Sequence, residues 1–221
     1  MKHYSICFEC SDLKPNNYVY SIGEVEADLV ALCTCPFGHK TVIRITHNLC
    51  DVLYSSAVYA FSKDCLSESV MSFAGALERA YEMFTKVTLY VEGLKYEQID
   101  EFWKELSSQS ERQYGAFCTQ YLKTTKEPWK IDSKMIQFRN KVVHKGHIAS
   151  TEEVTKYANY ITNELYKILK NLNENYQNES TEYYFHETEK TKVKVKELRI
   201  KHNAKLGGSS IISLLNWNVM D

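Results

Sequence analysis

The segment Arg139-Asn140-Lys141-Val142-Val143-His144 brings together three side chains suited to chemistry on a phosphodiester. Asn140 and His144 are four apart, so on a helix they stack on one face. Arg139 lies about 140° around the axis from His144 and flanks that face. An imidazole takes and gives protons near neutral pH. A guanidinium presents a planar fork to a phosphate, and Asn140 adds a neutral orienting group. Together they suit a metal-free attack of a ribose 2′-OH on its neighbouring phosphate, with Arg139 stabilising the crowded anionic transition state. The same spacing also fits a C-terminal helix histidine stabilised by the macrodipole beside an exposed arginine.

A second constellation is Cys7-Phe8-Glu9-Cys10 with Cys33-Thr34-Cys35-Pro36-Phe37-Gly38-His39. Two short knuckles of soft ligands, a hairpin length apart, suit tetrahedral zinc. The fourth ligand stays open between Cys35 with His39 and Cys33 with Cys35, and the preferred set is Cys7, Cys10, Cys35 and His39. Four protein ligands leave no open position, so the metal is expected to be structural. The alternative is free cysteines in a small β layer. The remaining cysteines, Cys50, Cys65 and Cys118, are scattered through helical sequence.

The third feature is a ladder of lysines at even positions, Lys190, Lys192, Lys194 and Lys196, with Arg199, Lys201 and Lys205 nearby. On a strand it would line one face and grip RNA phosphates, or protect a sheet edge. His147, next to the Arg139–His144 stretch, reads as an exposed histidine after a helix, with substrate contact as the alternative.

The elements that must position these groups fall into three zones. Residues 1–46 alternate in short strand-like runs, separated by a polar turn at residues 12–17, and need a staple because they are too few to bury a core. Residues 47–177 read as helices over about 51–63, 67–92, 96–107, 111–123, 133–144 and 151–176. Val70, Phe73, Leu77, Tyr81 and Phe84 mark the apolar face of the long second one. Asp132 or Ser133 and Ser150 are N-terminal caps, and Gly93 and Gly146 are stops. Residues 178–221 read as a basic β tail, with a break at Gly207-Gly208-Ser209-Ser210 before an apolar end at 211–215.

Composition narrows the classes. With 27 basic and 28 acidic residues, the net charge of −1 argues against a protein that coats nucleic acid over its whole surface. No apolar run is long enough for a spanning helix. Met1-Lys2-His3-Tyr4-Ser5-Ile6-Cys7 lacks the apolar core of a secretory signal, so a cytoplasmic chain without membrane contact is expected.

The stretch Phe138-Arg139-Asn140-Lys141-Val142-Val143-His144-Lys145-Gly146, followed by a long final helix, resembles HEPN domains (higher eukaryotes and prokaryotes nucleotide-binding). Ala76-Leu77-Glu78-Arg79-Ala80-Tyr81 is similar to the second helix of that family, and the resemblance covers about 130 residues. It implies a four- or five-helix bundle that dimerises so that each Arg139 and His144 meets its counterpart across a shared cleft, with Glu78 placed to orient Arg139. Members with an intact signature are commonly metal-independent endoribonucleases in toxin–antitoxin, CRISPR and anti-phage systems; members without it tend to be binding or scaffolding modules. The N-terminal knuckles resemble a zinc ribbon, with Gly38 where many ribbons carry Cys.

The expectation is therefore a mainly α protein with a small zinc-ribbon-like β module, a HEPN-like bundle and a short C-terminal β tail. Its expected function is RNA cleavage as a homodimeric toxin or defence effector, with an antitoxin or defence-system protein as partner. Arg139, Asn140 and His144 would be catalytic and zinc structural, with no cofactor for catalysis. The alternative is a non-catalytic HEPN-type dimerisation module that binds protein or nucleic acid.

Overall fold

The computed structural model of the protein describes residues 2–13, 18–45 and 48–207. Residues 14–17 of the expected polar turn, residues 208–210 of the expected break and the apolar end at 211–215 lie outside the described residues. The chain divides into two compact units, whose described residues come from Met1–His47 with Tyr184–Ile211 and from Asn48–Tyr183. Helices dominate among the described residues, and none is long and apolar enough to cross a membrane.

The first unit is a five-stranded sheet in the order β1 (Lys2–Ile6), β2 (Tyr20–Glu24), β3 (Val30–Thr34), β4 (Lys40–Arg44) and β5 (Lys205–Gly207). Neighbours are antiparallel except β4 and β5, which are parallel. Alternation sorts the side chains. Val30, Leu32 and Val42 point to one face, and Ala31, Cys33 and Ile43 to the other. The sheet is strongly curled: a Cβ on Gly207 would lie 3.3 Å from Ser5 Oγ, on the opposite edge strand. Gly23 is required by close approach, since a Cβ there would stand 2.5 Å from the Leu32 carbonyl oxygen. A short helix, α1 (Phe8–Leu13), follows β1.

The second unit is a helical bundle of α2 (Leu49–Ser62), α3 (Leu66–Val91), α4 (Tyr96–Leu106), α5 (Ser110–Thr125), α6 (Ser133–Lys145) and most of α7 (Thr151–Glu189). The helix α3 packs against α2, α4, α5 and α6. Its expected face is the buried one: Val70, Phe73, Leu77, Tyr81 and Phe84 all enter the core, joined by Phe117 and by Ile161, Leu165, Ile168 and Leu172 of α7. Full burial of each such side chain is worth about 1.5–3 kcal/mol. Tyr81 stacks on Phe117 with ring centroids 4.2 Å apart. Tyr54 of α2 and Thr162 of α7 share a 2.9 Å hydroxyl–hydroxyl bond.

The expected caps around α6 and α7 form. Asp132 accepts from the Lys134 N–H at 2.8 Å, and Gly146 ends α6 in the left-handed region at φ 65°. Ser150 and Glu153 exchange bonds at the start of α7, Ser150 N–H to the Glu153 carboxylate at 2.9 Å and Glu153 N–H to Ser150 Oγ at 3.3 Å. For α3 the helix begins at Leu66, one residue before the expected start at residue 67. At Tyr176, where the last helix is expected to end, the backbone leaves helical geometry (φ −142°, ψ 34°), and a second helical segment continues to Glu189.

The expected basic β tail at 178–221 is corrected. Its residues to Glu189 complete α7, Lys192–His202 form a further helix, α8, and among the described residues of the tail only Lys205–Gly207 is a strand. The period-two pattern was one of charge, whereas a strand needs period-two burial. Val195 is buried with Val30, Val42 and Ala204, while Val193 is 67 % exposed. Two valines two apart on opposite sides require a helix, and the Lys- and Glu-rich run favours one. The helix α8 lays Val195 and Leu198 on the sheet face that carries Val30, Leu32 and Val42, so the tail completes the first unit.

Candidate active site and metal centre

Near its C-terminus α6 presents the Arg139 cluster. Val142 is the buried residue of this helix, and Met135 and Phe138 pack against the core. That anchoring leaves Arg139 and Asn140 half-buried and His144 exposed. Arg139 Nη1 donates to Asn140 Oδ1 at 3.1 Å and lies 3.4 Å from His144 Nε2, while Nη2 donates to Glu78 Oε1 of α3 at 3.4 Å. Arg139 therefore reaches around the helix to His144, and the three expected residues and Glu78 form one cluster. For Arg139 to donate to His144, the Nε2 lone pair must be free, which places the ring proton on Nδ1. An imidazole in that tautomer is a proton acceptor beside a fixed cation.

Beside this cluster a cleft of about 230 Å³ opens between α3, α5, α6 and α7. Glu78, Arg139 and Asn140 line one side, and Tyr81, Tyr114, Tyr157 and Tyr160 much of the remainder. The tyrosines come from three helices, and no local motif announces them. The sole signal is composition, with sixteen tyrosines in the chain. Burial holds the Tyr157 hydroxyl well above its usual pKa, with Arg139 pulling weakly the other way. It stays a neutral hydrogen-bonding group.

His147 belongs to the scaffold: its Nε2 lies 3.1 Å from Glu153 Oε1, and the same carboxylate caps α7. The lysine ladder does not form a single face. On α8 residues two apart point about 200° apart. Lys194 bonds Glu26 at 2.6 Å and Asp28 at 2.7 Å, Lys190 pairs with Glu187 at 3.0 Å, and Lys192 pairs with Glu189.

In the first unit, Cys7 follows β1, Cys10 lies on α1, and Cys35 and His39 flank the turn between β3 and β4. Their ligand atoms all lie within 4.8 Å of one another. Cys10 Sγ is 3.9 Å from Cys35 Sγ, and His39 Nδ1 lies 3.7, 3.2 and 3.6 Å from the sulfurs of Cys7, Cys10 and Cys35. Zn–S bonds of about 2.3 Å and Zn–N bonds of about 2.0 Å give tetrahedron edges of about 3.5–3.8 Å, so the donors stand where such an ion would hold them. These residues could bind a metal ion such as zinc.

The turn itself is shaped for this: Gly38 N–H donates to the Cys35 carbonyl at 2.9 Å, and Gly38 takes φ 85°. Burial and the neighbouring sulfurs push the Cys10 thiol up to about 12. Burial also opposes a Cys35 thiolate, but backbone N–H groups of Phe37 and His39 prevail and bring it down to about 7. Three sulfurs packed this closely can all be thiolates only with a cation among them.

Cys33 is no part of this group. Fully buried on β3, it packs with Ala31 and Ile43, and the side chains that cluster are the preferred set with Cys35 and His39. Sequence reasoning missed Glu9, whose Oε2 stands 3.4 Å from His39 Nε2 and orients the ring with Nδ1 toward the sulfurs. Comparisons with protein-family models, with curated proteins and with solved structures find no match for this chain.

Proposed function

We propose that the protein is a metal-independent endoribonuclease of HEPN type, acting as a toxin or anti-phage effector. One observation carries this reading: Arg139 stands in contact with His144 on one side and Glu78 on the other, at the mouth of a cleft. In the proposed reaction His144 Nε2 takes the proton of a ribose 2′-OH. The 2′-oxygen forms a bond to phosphorus, and the bond from phosphorus to the 5′-oxygen breaks. The departing 5′-oxygen receives a proton from the imidazolium, leaving a 2′,3′-cyclic phosphate and a 5′-OH. Arg139 stabilises the phosphorane-like charge, Asn140 orients the phosphate, and Glu78 holds the guanidinium.

A homodimer fits the surface of α6. His144 is exposed, as are Ile136, about two turns earlier on the same helix, at 38 % and Ile148, just after the helix, at 91 %. A second copy seated there would cover the isoleucines and bring two His144 side chains together. The metal centre is assigned as structural zinc held by Cys7, Cys10, Cys35 and His39, with four protein ligands and no open position. A second reading, a non-catalytic module that binds RNA or protein, is favoured by the ion pair that already engages Arg139 with Glu78. Labelled RNA incubated with the purified protein in EDTA separates the two. Cleavage by the wild type that is lost in Arg139→Ala supports the nuclease, and binding without cleavage supports the module.

A further inference from the structure

The cleft beside Arg139 has a composition that phosphate chemistry does not require. Four tyrosines from three helices line it among aliphatic side chains such as Leu77, Met135 and Ile161: Tyr81 of α3, Tyr114 of α5, and Tyr157 and Tyr160 of α7. The hydroxyl of Tyr81, one of these four, is buried beside the Trp129 indole N–H, and neither makes a hydrogen bond of good geometry. A buried polar atom left in this state is costly unless a ligand or water completes it. The rim has a different character. Glu111 and Ser110, in the first turn of α5, bring an exposed carboxylate and a hydroxyl 3.5 Å apart, and Glu78 adds a second carboxylate on the Arg139 side.

Aromatic walls, a polar atom short of a partner and hydrogen-bond acceptors at the edge describe a flat, polar-edged ring system. Single-stranded nucleic acid is read in this way, by stacking on aromatic side chains and by hydrogen bonds along the base edge. An anionic rim disfavours a second phosphate and favours a base edge rich in N–H donors. Guanine offers N1–H and N2–H side by side, a match for one carboxylate, whereas cytosine and uracil are smaller and present fewer adjacent donors.

We infer that this cleft is a nucleobase subsite that seats a purine, guanine foremost, of the RNA strand whose phosphate lies at Arg139. The base stacks against Tyr114 with its N–H edge toward Glu111. The subsite rests on the ribonuclease reading for the position of the phosphate and not for the seat of the base. If both hold, cleavage falls beside a guanosine.

The test uses the full chain and 2′-O-methyl trinucleotides that cannot be cleaved, with guanosine or cytidine at the centre, titrated by calorimetry and tryptophan fluorescence. Stacking serves either base, and the paired N1–H and N2–H contacts to the Glu111 carboxylate separate them, so the guanosine ligand should bind about ten-fold more tightly than the cytidine one. Tyr114→Ala should erase that preference. Glu111→Gln, on the exposed rim where folding is not at stake, should reduce it several-fold. Equal affinity for both ligands in the wild type, or an unchanged preference in Tyr114→Ala and Glu111→Gln, would overturn the subsite.

Cleavable counterparts keep the two readings apart. Guanosine preference in binding with no cleavage of any RNA retains the subsite and removes the nuclease. Cleavage without base preference does the reverse.

Discussion

Arg139 Nη1 lies 3.4 Å from His144 Nε2, five residues further along the same helix. Helical spacing alone sets the two about 140° apart, and it is the length of the arginine that closes the gap, with Glu78 holding the other end of the guanidinium. The pair depends on a planar fork that touches two partners at once. Arg139→Lys keeps the charge but loses the fork. It is expected to cleave RNA about 10²-fold or more slowly. Glu78→Ala, which removes a positioning contact, should cost about ten-fold, with Arg139→Ala and the double variant then equal in rate. Single-turnover rates at saturating RNA make the comparison. Full activity in Arg139→Lys would mean that charge alone suffices.

An ion held by Cys7, Cys10, Cys35 and His39 would tie β1 and α1 to the turn between β3 and β4. The expected outcome is one zinc ion per purified chain by elemental analysis, lost in Cys35→Ser. Structural zinc contributes on the order of 10 kcal/mol to small domains, so the first unit should melt well below the wild-type temperature in that variant. The helical unit should retain its far-ultraviolet signal. Zinc-free wild type with unchanged melting would remove the metal from the account.

His3 sits buried on β1 with its Nε2 lacking a hydrogen bond, and burial holds its pKa below the ordinary value. The folded chain thus resists a proton that the unfolded chain accepts near pH 6.5. Its contribution to stability is complete above about pH 6.5 and is lost as the pH falls toward the folded-state pKa. Thermal melts at pH 7.5 and 5.5 should show a larger drop for the wild type than for His3→Leu. Equal drops would place the pH sensitivity elsewhere.

The assignment of α8 as a helix has a direct consequence for two neighbouring valines. Val193→Asp, at an exposed position, should change stability by no more than about 0.5 kcal/mol. Val195→Asp would bury a carboxylate against Val30 and Val42 and should cost about 2 kcal/mol or more. Chemical denaturation measures both. A strand would make the two substitutions behave alike.

The bundle was legible because its signals are local. Asp132, Gly146 and Ser150 are read from the residue types that helix ends require, and the core face of α3 from apolar spacing. The cluster that could hold a metal ion, Cys7, Cys10, Cys35 and His39, was legible down to one ambiguity, since Cys33 packs instead with Ala31 and Ile43. The tail was misread because its alternation lay in lysines, which tolerate solvent on either structure. The side that mattered was set by Val195 meeting a sheet formed some 150 residues earlier. Glu9 and the tyrosine cleft were invisible for a related reason: Tyr81, Tyr114, Tyr157 and Tyr160 share a wall only once three helices pack.

The central claim is that His144 moves the proton. The direct test incubates labelled RNA with wild type and His144→Ala in EDTA and maps the product ends. The account predicts 2′,3′-cyclic phosphate and 5′-OH ends from the wild type, and a rate lower by about 10²–10⁴ in His144→Ala with its helical signal unchanged. Cleavage by His144→Ala at the wild-type rate, or products ending in a 5′-phosphate, would contradict it.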